Sequence, residues 1–123
     1  MKIRRFEREV TIALFNIENF PDNIEKLKEI ADGLADLLNV KIVKESYYQH
    51  SNGAISASYI IEESSITIDP WPEHKTVIVR VSTCNPDSRL EVVADYLKKK
   101  FCAEKVKTVF EENEIGIRTI PLQ

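Results

Sequence analysis

The 123-residue sequence predicts an α+β two-layer sandwich, a mainly antiparallel sheet with two helices on one face. Three observations predict it. Two stretches carry apolar residues three and four apart, several others alternate apolar with polar residues, and the order runs strand, helix, a run of strands, helix, strands. Hydrophobic residues make up 43% of the chain, which suits one globular core, and the length suits a single domain over residues 1–123.

Glu7 to Ile17 reads as the first strand, with Val10, Ile12 and Leu14 alternating against Thr11, Ala13 and Phe15. Pro21-Asp22 breaks it. Asp22 with Glu25 three residues later has the pattern of a capping box. Ile24, Leu27, Ile30, Ala31, Leu34, Leu37 and Leu38 then form one apolar helix face, and Asn39 is its stop. Val40–Tyr48 reads as a strand, Ser51-Asn52-Gly53 as a turn, Ala54–Glu62 as a strand and Ile66–Asp69 as a short one. Thr76–Thr83 alternates cleanly, with Val77, Val79 and Val81 on one face. Asn85 to Ser88 is a loop, and Ser88 with Glu91 repeats the capping-box pattern. Leu90, Val93, Ala94, Leu97 and Phe101 form the second helix stripe, with Lys98, Lys99 and Lys100 where the helix dipole favours cations. Val106–Phe110 and Ile115–Ile120 read as two final strands. Apolar residues on the second sheet face permit packing on another copy.

Composition narrows the function. Seventeen basic against 20 acidic residues leave a net charge of −3, without the basic face that nucleic acid or an anionic membrane needs. The N-terminus has no apolar signal segment, and no apolar run has the length of a membrane helix. A cytoplasmic location, with Cys84 and Cys102 as reduced thiols, is the expectation. Two cysteines and two histidines without paired ligand spacing predict no metal site, and three glycines make no phosphate-cradling loop.

The informative stretch runs from Ser56 to Asn85. It contains Ser56-Ala57, then Glu63-Ser64-Ser65-Ile66-Thr67-Ile68-Asp69-Pro70-Trp71-Pro72-Glu73, then Thr83-Cys84-Asn85. It resembles the prokaryotic S-adenosylmethionine decarboxylase family. That family's pattern is serine-glycine, Glu-Ser-His, three residues, His-Thr-Trp-Pro-Glu, then Thr-Cys-Gly, and the spacings agree without a gap. The strand and helix order on either side also agrees. The resemblance covers nearly the whole chain and is weaker outside residues 53–100.

The resemblance implies a self-cleaving, pyruvoyl-dependent enzyme. Ser64 Oγ would attack the Glu63 carbonyl, and cleavage of the Glu63–Ser64 bond would leave a β chain of residues 1–63 and an α chain of residues 64–123. The new α-chain N-terminus would be a pyruvoyl group made from Ser64, an electron sink for the carbanion left by loss of CO₂. By the same resemblance, Ser56 and the residue at 69 act in processing, Cys84 is the acid that reprotonates carbon, and Glu73 holds the two ribose hydroxyls of S-adenosylmethionine. A homodimer follows too, because the family's sites use residues of both subunits. The implied activity is decarboxylation of S-adenosylmethionine for polyamine synthesis.

The sequence departs from the pattern at several positions. Ser65 and Asp69 stand where the family has histidines, and Ala57 and Asn85 where it has glycines. Aspartate, ordinarily titrating near about 3.9 against about 6.5 for histidine, is the weaker base at neutrality. Two alternatives therefore stay open: an uncleaved, catalytically silent paralogue that binds a ligand or regulates a partner, and a decarboxylase with a changed amino-acid substrate. Plainer readings also stand. Cys84 could be a small buried hydrophobe, Asp69 a strand-end or solvated residue, Glu73 a solvated charge. Trp71 reads as a packing anchor, Cys102 as structural, His74 as exposed, and His50 has no assigned role.

Overall fold

A computed structural model describes residues 2–62, 64–84 and 88–118, and side chains over 7–62, 64–84 and 88–111. The elements are β1 (Lys2–Phe15), α1 (Ile24–Leu38), β2 (Ile42–Gln49), β3 (Ile55–Ile61), β4 (Ser64–Trp71), β5 (Thr76–Thr83), α2 (Val93–Phe101) and β6 (Lys105–Arg118). Among the described residues the strands form one antiparallel sheet in the order β2-β3-β4-β5-β1-β6. Both helices cover one face, so the two-layer α+β sandwich is the observed architecture.

Strand alternation sorts the side chains. Val10, Ile12, Leu14, Tyr59, Ile66, Ile68, Val77, Val79 and Val81 point into the covered layer and are buried. They meet Leu27, Ala31, Leu34 and Leu38 of α1 and Val93, Leu97 and Phe101 of α2. Each fully buried aliphatic side chain contributes roughly 1.5–3 kcal/mol. The opposite face is open and keeps Tyr48, Ile60, Trp71 and Val109 exposed. In the covered layer Tyr47 and Tyr59 meet edge to face at 5.7 Å. Burial raises the pKa of both phenols, and among the described residues neither hydroxyl finds a partner at hydrogen-bonding geometry.

The helix ends differ from their sequence reading. The α1 cap is Asn23, whose Oδ1 accepts from the Lys26 N–H at 2.8 Å, while Asp22 pairs with the Lys26 ammonium at 2.9 Å. Asn39 does end α1, in the left-handed region at φ 56°. Ser88 caps nothing. A 3-10 turn over Leu90–Val92 precedes α2, and the buried Ser88 hydroxyl donates to the Leu38 carbonyl at 3.3 Å, satisfying a group that α1 leaves open. The two expected final strands are one, β6, which pairs with β1 from Lys105↔Phe15 to Arg118↔Lys2. Asn85–Asp87 of the expected loop, and Thr119 and Ile120 of the expected last strand, lie outside the described residues.

Gly33 lets the helices meet. A Cβ there would run into the Tyr96 phenol, whose hydroxyl donates to the Ile30 carbonyl at 2.8 Å.

Candidate active site

The sequence-predicted site residues fall at the two ends of β4. Ser64 opens the strand. Its Cα partners are Ile61 on β3 and Thr83 on β5, both buried, while Ser64 itself is half-buried. Cys84 follows Thr83 directly and is half-buried. Both cysteines are thiols, and Cys102 is the exposed residue that ends α2 at φ 51°. Glu63 lies outside the described residues. The neighbouring strand braces this end. The Ser82 hydroxyl donates to the Glu7 carboxylate at 2.7 Å, and the Arg8 guanidinium donates to the Ser88 carbonyl at 2.6 Å.

The other end holds a cleft of about 260 Å³ lined by His50, Ser56, Asp69, Trp71 and Glu73, with Ser51, Asn52 and Pro70. The β3–β4 register ends at Ala57↔Ile68, and one step further sets Ser56 beside Asp69 on the open face. Pro70 has no N–H to give, and it follows the last β3 pair. As the residue before proline, Asp69 stays extended. The 3-10 turn Pro72–His74 then carries Glu73 around the strand end, closed by the Lys75 N–H on the Pro72 carbonyl at 3.0 Å. Trp71 is 48% exposed and lines the cleft, so it is not the packing anchor that its bulk suggests. His74 is exposed, as expected.

His50 is the residue that sequence reasoning missed. Its Nε2 lies 2.7 Å from Ser56 Oγ. The β2–β3 turn puts it there. The His50 N–H donates to the Ala54 carbonyl at 2.7 Å, the Gly53 N–H returns to the His50 carbonyl at 2.9 Å, and Gly53 takes φ +89°. Tyr48 pairs with Ser56, so His50 is its diagonal neighbour on the same face. The Tyr48 ring meets the imidazole edge to face at 4.8 Å. The available signal was the turn: Ser51-Asn52-Gly53 fixes the hairpin register, and the register brings residue 50 to residue 56.

One chain therefore groups Ser64 with Cys84, and Ser56 with His50, Asp69 and Glu73. Five residues of extended strand, roughly 17 Å, separate Ser64 from Asp69. Among the described residues no group of three His, Cys, Asp or Glu side chains could hold a metal ion, and no helix is long and apolar enough to cross a membrane.

The family model described as S-adenosylmethionine decarboxylase matches residues 8–112. An S-adenosylmethionine decarboxylase proenzyme of Aquifex aeolicus is 27% identical over 94 residues, covering 76% of this chain and 70% of that protein. One from Clostridium botulinum (strain Langeland) is 36% identical over 88 residues, covering 70% of this chain and 74% of that protein. The crystal structure of the adenosylmethionine decarboxylase from Aquifex aeolicus matches with a TM-score of 0.78 at 22% identity, over 97% of this chain and 98% of that one. At that identity the structural likeness speaks for the fold.

Proposed function

The chain belongs to the S-adenosylmethionine decarboxylase family, and on that premise we propose that it is a self-cleaving, pyruvoyl-dependent carboxy-lyase acting on S-adenosylmethionine in polyamine synthesis. The observation that carries the reading is the pairing of Ser64 with Thr83, which sets the Cys84 thiol one residue beyond the strand partner of the cleavage serine.

Cleavage begins when Ser64 Oγ attacks the Glu63 carbonyl. The peptide C–N bond breaks, an ester replaces it, and the Ser64 amine is freed. A base then removes the Ser64 Cα proton, and the Glu63 carboxylate leaves with the Cβ–O electron pair. Loss of the resulting enamine's nitrogen as ammonia, by hydrolysis, leaves the pyruvoyl carbonyl at the head of residues 64–123. The residues present fit that group. It would begin β4 on a half-buried strand end, between the buried Ile61 and Thr83 positions, with Cys84 one residue beyond Thr83. When formed, it supplies an electron sink for decarboxylation. Cys84 is the proton donor to the carbon that loses CO₂. Glu73, exposed in the cleft, suits a ribose diol, because a carboxylate accepts two hydrogen bonds at once.

The separation of the two groups along β4 supports a homodimer in which the Ser64–Cys84 end of one copy meets the Ser56–Glu73 end of the other. Specific observations favour a second reading, an uncleaved paralogue that binds a ligand or regulates a partner: Ser65 and Asp69 stand where the family carries histidines.

Intact mass of the purified chain under denaturing conditions, before and after long incubation, decides between them. Two fragments split between Glu63 and Ser64, the second blocked at its N-terminus, support the enzyme. A single species of 14.2 kDa that never cleaves overturns it and leaves the paralogue.

A further inference from the structure

We propose that His50 is the proton-accepting partner of Ser56, and that the pair acts as one unit during cleavage. The proposal deepens the reading above and rests on it for the step the pair serves.

The geometry is specific. The Nε2–Oγ distance of 2.7 Å is that of a strong hydrogen bond. With the ring proton on Nδ1, Nε2 accepts from the Ser56 hydroxyl. The backbone holds both groups. His50 is fixed by its own N–H and C=O on either side of a turn that needs a positive φ at Gly53, and Ser56 lies within the β2–β3 ladder. The groups around the ring are the Tyr48 phenol and, in the same cleft, the Asp69 and Glu73 carboxylates. Asp69, beside Ser56 in the register, is the rival base. An ordinary carboxylate holds a proton only near about pH 4, whereas an imidazole exchanges one near neutrality.

The pair offers a relay for the elimination step. In the homodimer argued above, where the Ser56 end of one copy meets the Ser64 end of the other, Ser56 Oγ takes the Cα proton from the other copy's Ser64 ester as its own hydroxyl proton passes to His50 Nε2. The Cα–H bond breaks, Cα=Cβ forms, the Cβ–O bond breaks, and the Glu63 carboxylate leaves with the electron pair. The products are an imidazolium and a carboxylate, so charge and atoms balance. His50 acts through Ser56 and is a positioning residue.

His50→Gln separates this role from a structural one, because an amide keeps a hydrogen bond to Ser56 but cannot take up a proton. In the full-length chain, cleavage is followed by intact mass across pH 5.5 to 9. The expected result is that His50→Gln cleaves roughly 100-fold more slowly at neutral pH, loses the limb of the pH profile that rises with imidazole deprotonation, and unfolds at the parent's temperature. Cleavage within about threefold of the parent, with the same profile, overturns the proposal. A second readout does not depend on cleavage. Titration of the ¹⁵N-labelled histidine rings is compared between the parent and Ser56→Ala. A moved His50 midpoint and tautomer ratio supports the pair even in a chain that never cleaves, where only the enzyme reading falls. An unmoved His50 titration overturns the pair whatever the cleavage assay gives.

Discussion

The two ends of β4 are built differently. At the Ser64 end the chemistry-bearing groups follow one another along strands, and neighbours already recognisable in the sequence surround them: Ser64 opens β4, and Thr83 closes β5 opposite it with Cys84 next. At the Asp69 end the groups come from four separate pieces of chain. Ser56 comes from β3, Asp69 and Trp71 from β4, Glu73 from a 3-10 turn, and His50 arrives over a hairpin. The first end keeps the family's serine, threonine and cysteine, with Ser65 and Asn85 exchanged beside them. The second has aspartate where the family has histidine, and an imidazole enters from position 50 instead. A ladder-built end holds its residues by register. A turn-built end can exchange a residue for another that reaches the same place.

The largest test of this contrast is at the ladder-built end. Ser64→Ala removes the attacking oxygen, so cleavage should vanish and a single uncleaved mass should persist, with the melting temperature kept because Ser64 is only half-buried. Cys84→Ala should leave cleavage intact and lower decarboxylation by about 100- to 10,000-fold, the range for losing a positioned acid. Mass spectrometry of the first variant and CO₂ release by the second check both. Cleaved Ser64→Ala, or undiminished turnover by cleaved Cys84→Ala, would remove the ladder-built end from the chemistry.

How much was legible follows from the same contrast. β5 was readable to the residue, because Thr76–Thr83 alternates without a charge on its buried side. The helices were readable from their stripes, and the α1 stop from Asn39, but the N-caps were not. The residue that caps α1 is set by where the chain enters the turn, and Asn23 takes the place that spacing gave to Asp22. β1 begins five residues earlier than the alternation suggested, and β6 continues through Glu111-Glu112-Asn113-Glu114. Those polar residues hide a strand whose signal lies in its partner: Arg8 opposes Glu112 on a ladder that neither segment reveals alone. Of the site, the ordered motif from Ser64 to Cys84 was legible because spacing along the chain carries it. His50 was not, because its meaning depends on a hairpin register rather than on its sequence neighbours.

A change remote from both ends should move stability and leave the comparison intact. Gly33→Ala adds a methyl that meets the Tyr96 phenol and threatens its bond to the Ile30 carbonyl. Overpacking of this kind costs about 1–3 kcal/mol, against about 1 kcal/mol gained in helix propensity. A net loss of roughly 1 kcal/mol in urea unfolding is expected, with the extent of cleavage at both pH limits unchanged. A matching loss of cleavage would mean that the ends depend on the helix layer more than the sheet implies.

The smallest effect is expected at Tyr59, which lies between the two ends on β3, opposite Ile66, on the covered face. Its hydroxyl is buried without a partner among the described residues, so Tyr59→Phe removes an unsatisfied group rather than a bond and should change stability at pH 7 by less than about 1 kcal/mol in either direction. The difference should appear in alkali. Burial raises the Tyr59 phenol above its ordinary value of 10.0, with further upward contributions from Tyr47 and from the Glu45 and Asp32 carboxylates. Between the unfolded and folded values the unfolded chain releases the proton and the folded chain keeps it. The stability is therefore fully present below about pH 10 and falls as pH rises above it. Tyr59→Phe should lose stability less steeply there, and part of the slope should remain because Tyr47 and Tyr96 are also raised by burial. Urea midpoints measured from pH 8 to 11 test this. Identical slopes in parent and variant would show that Tyr59 opens to water before it ionises, and that the strip of sheet joining the two ends is looser than its packing.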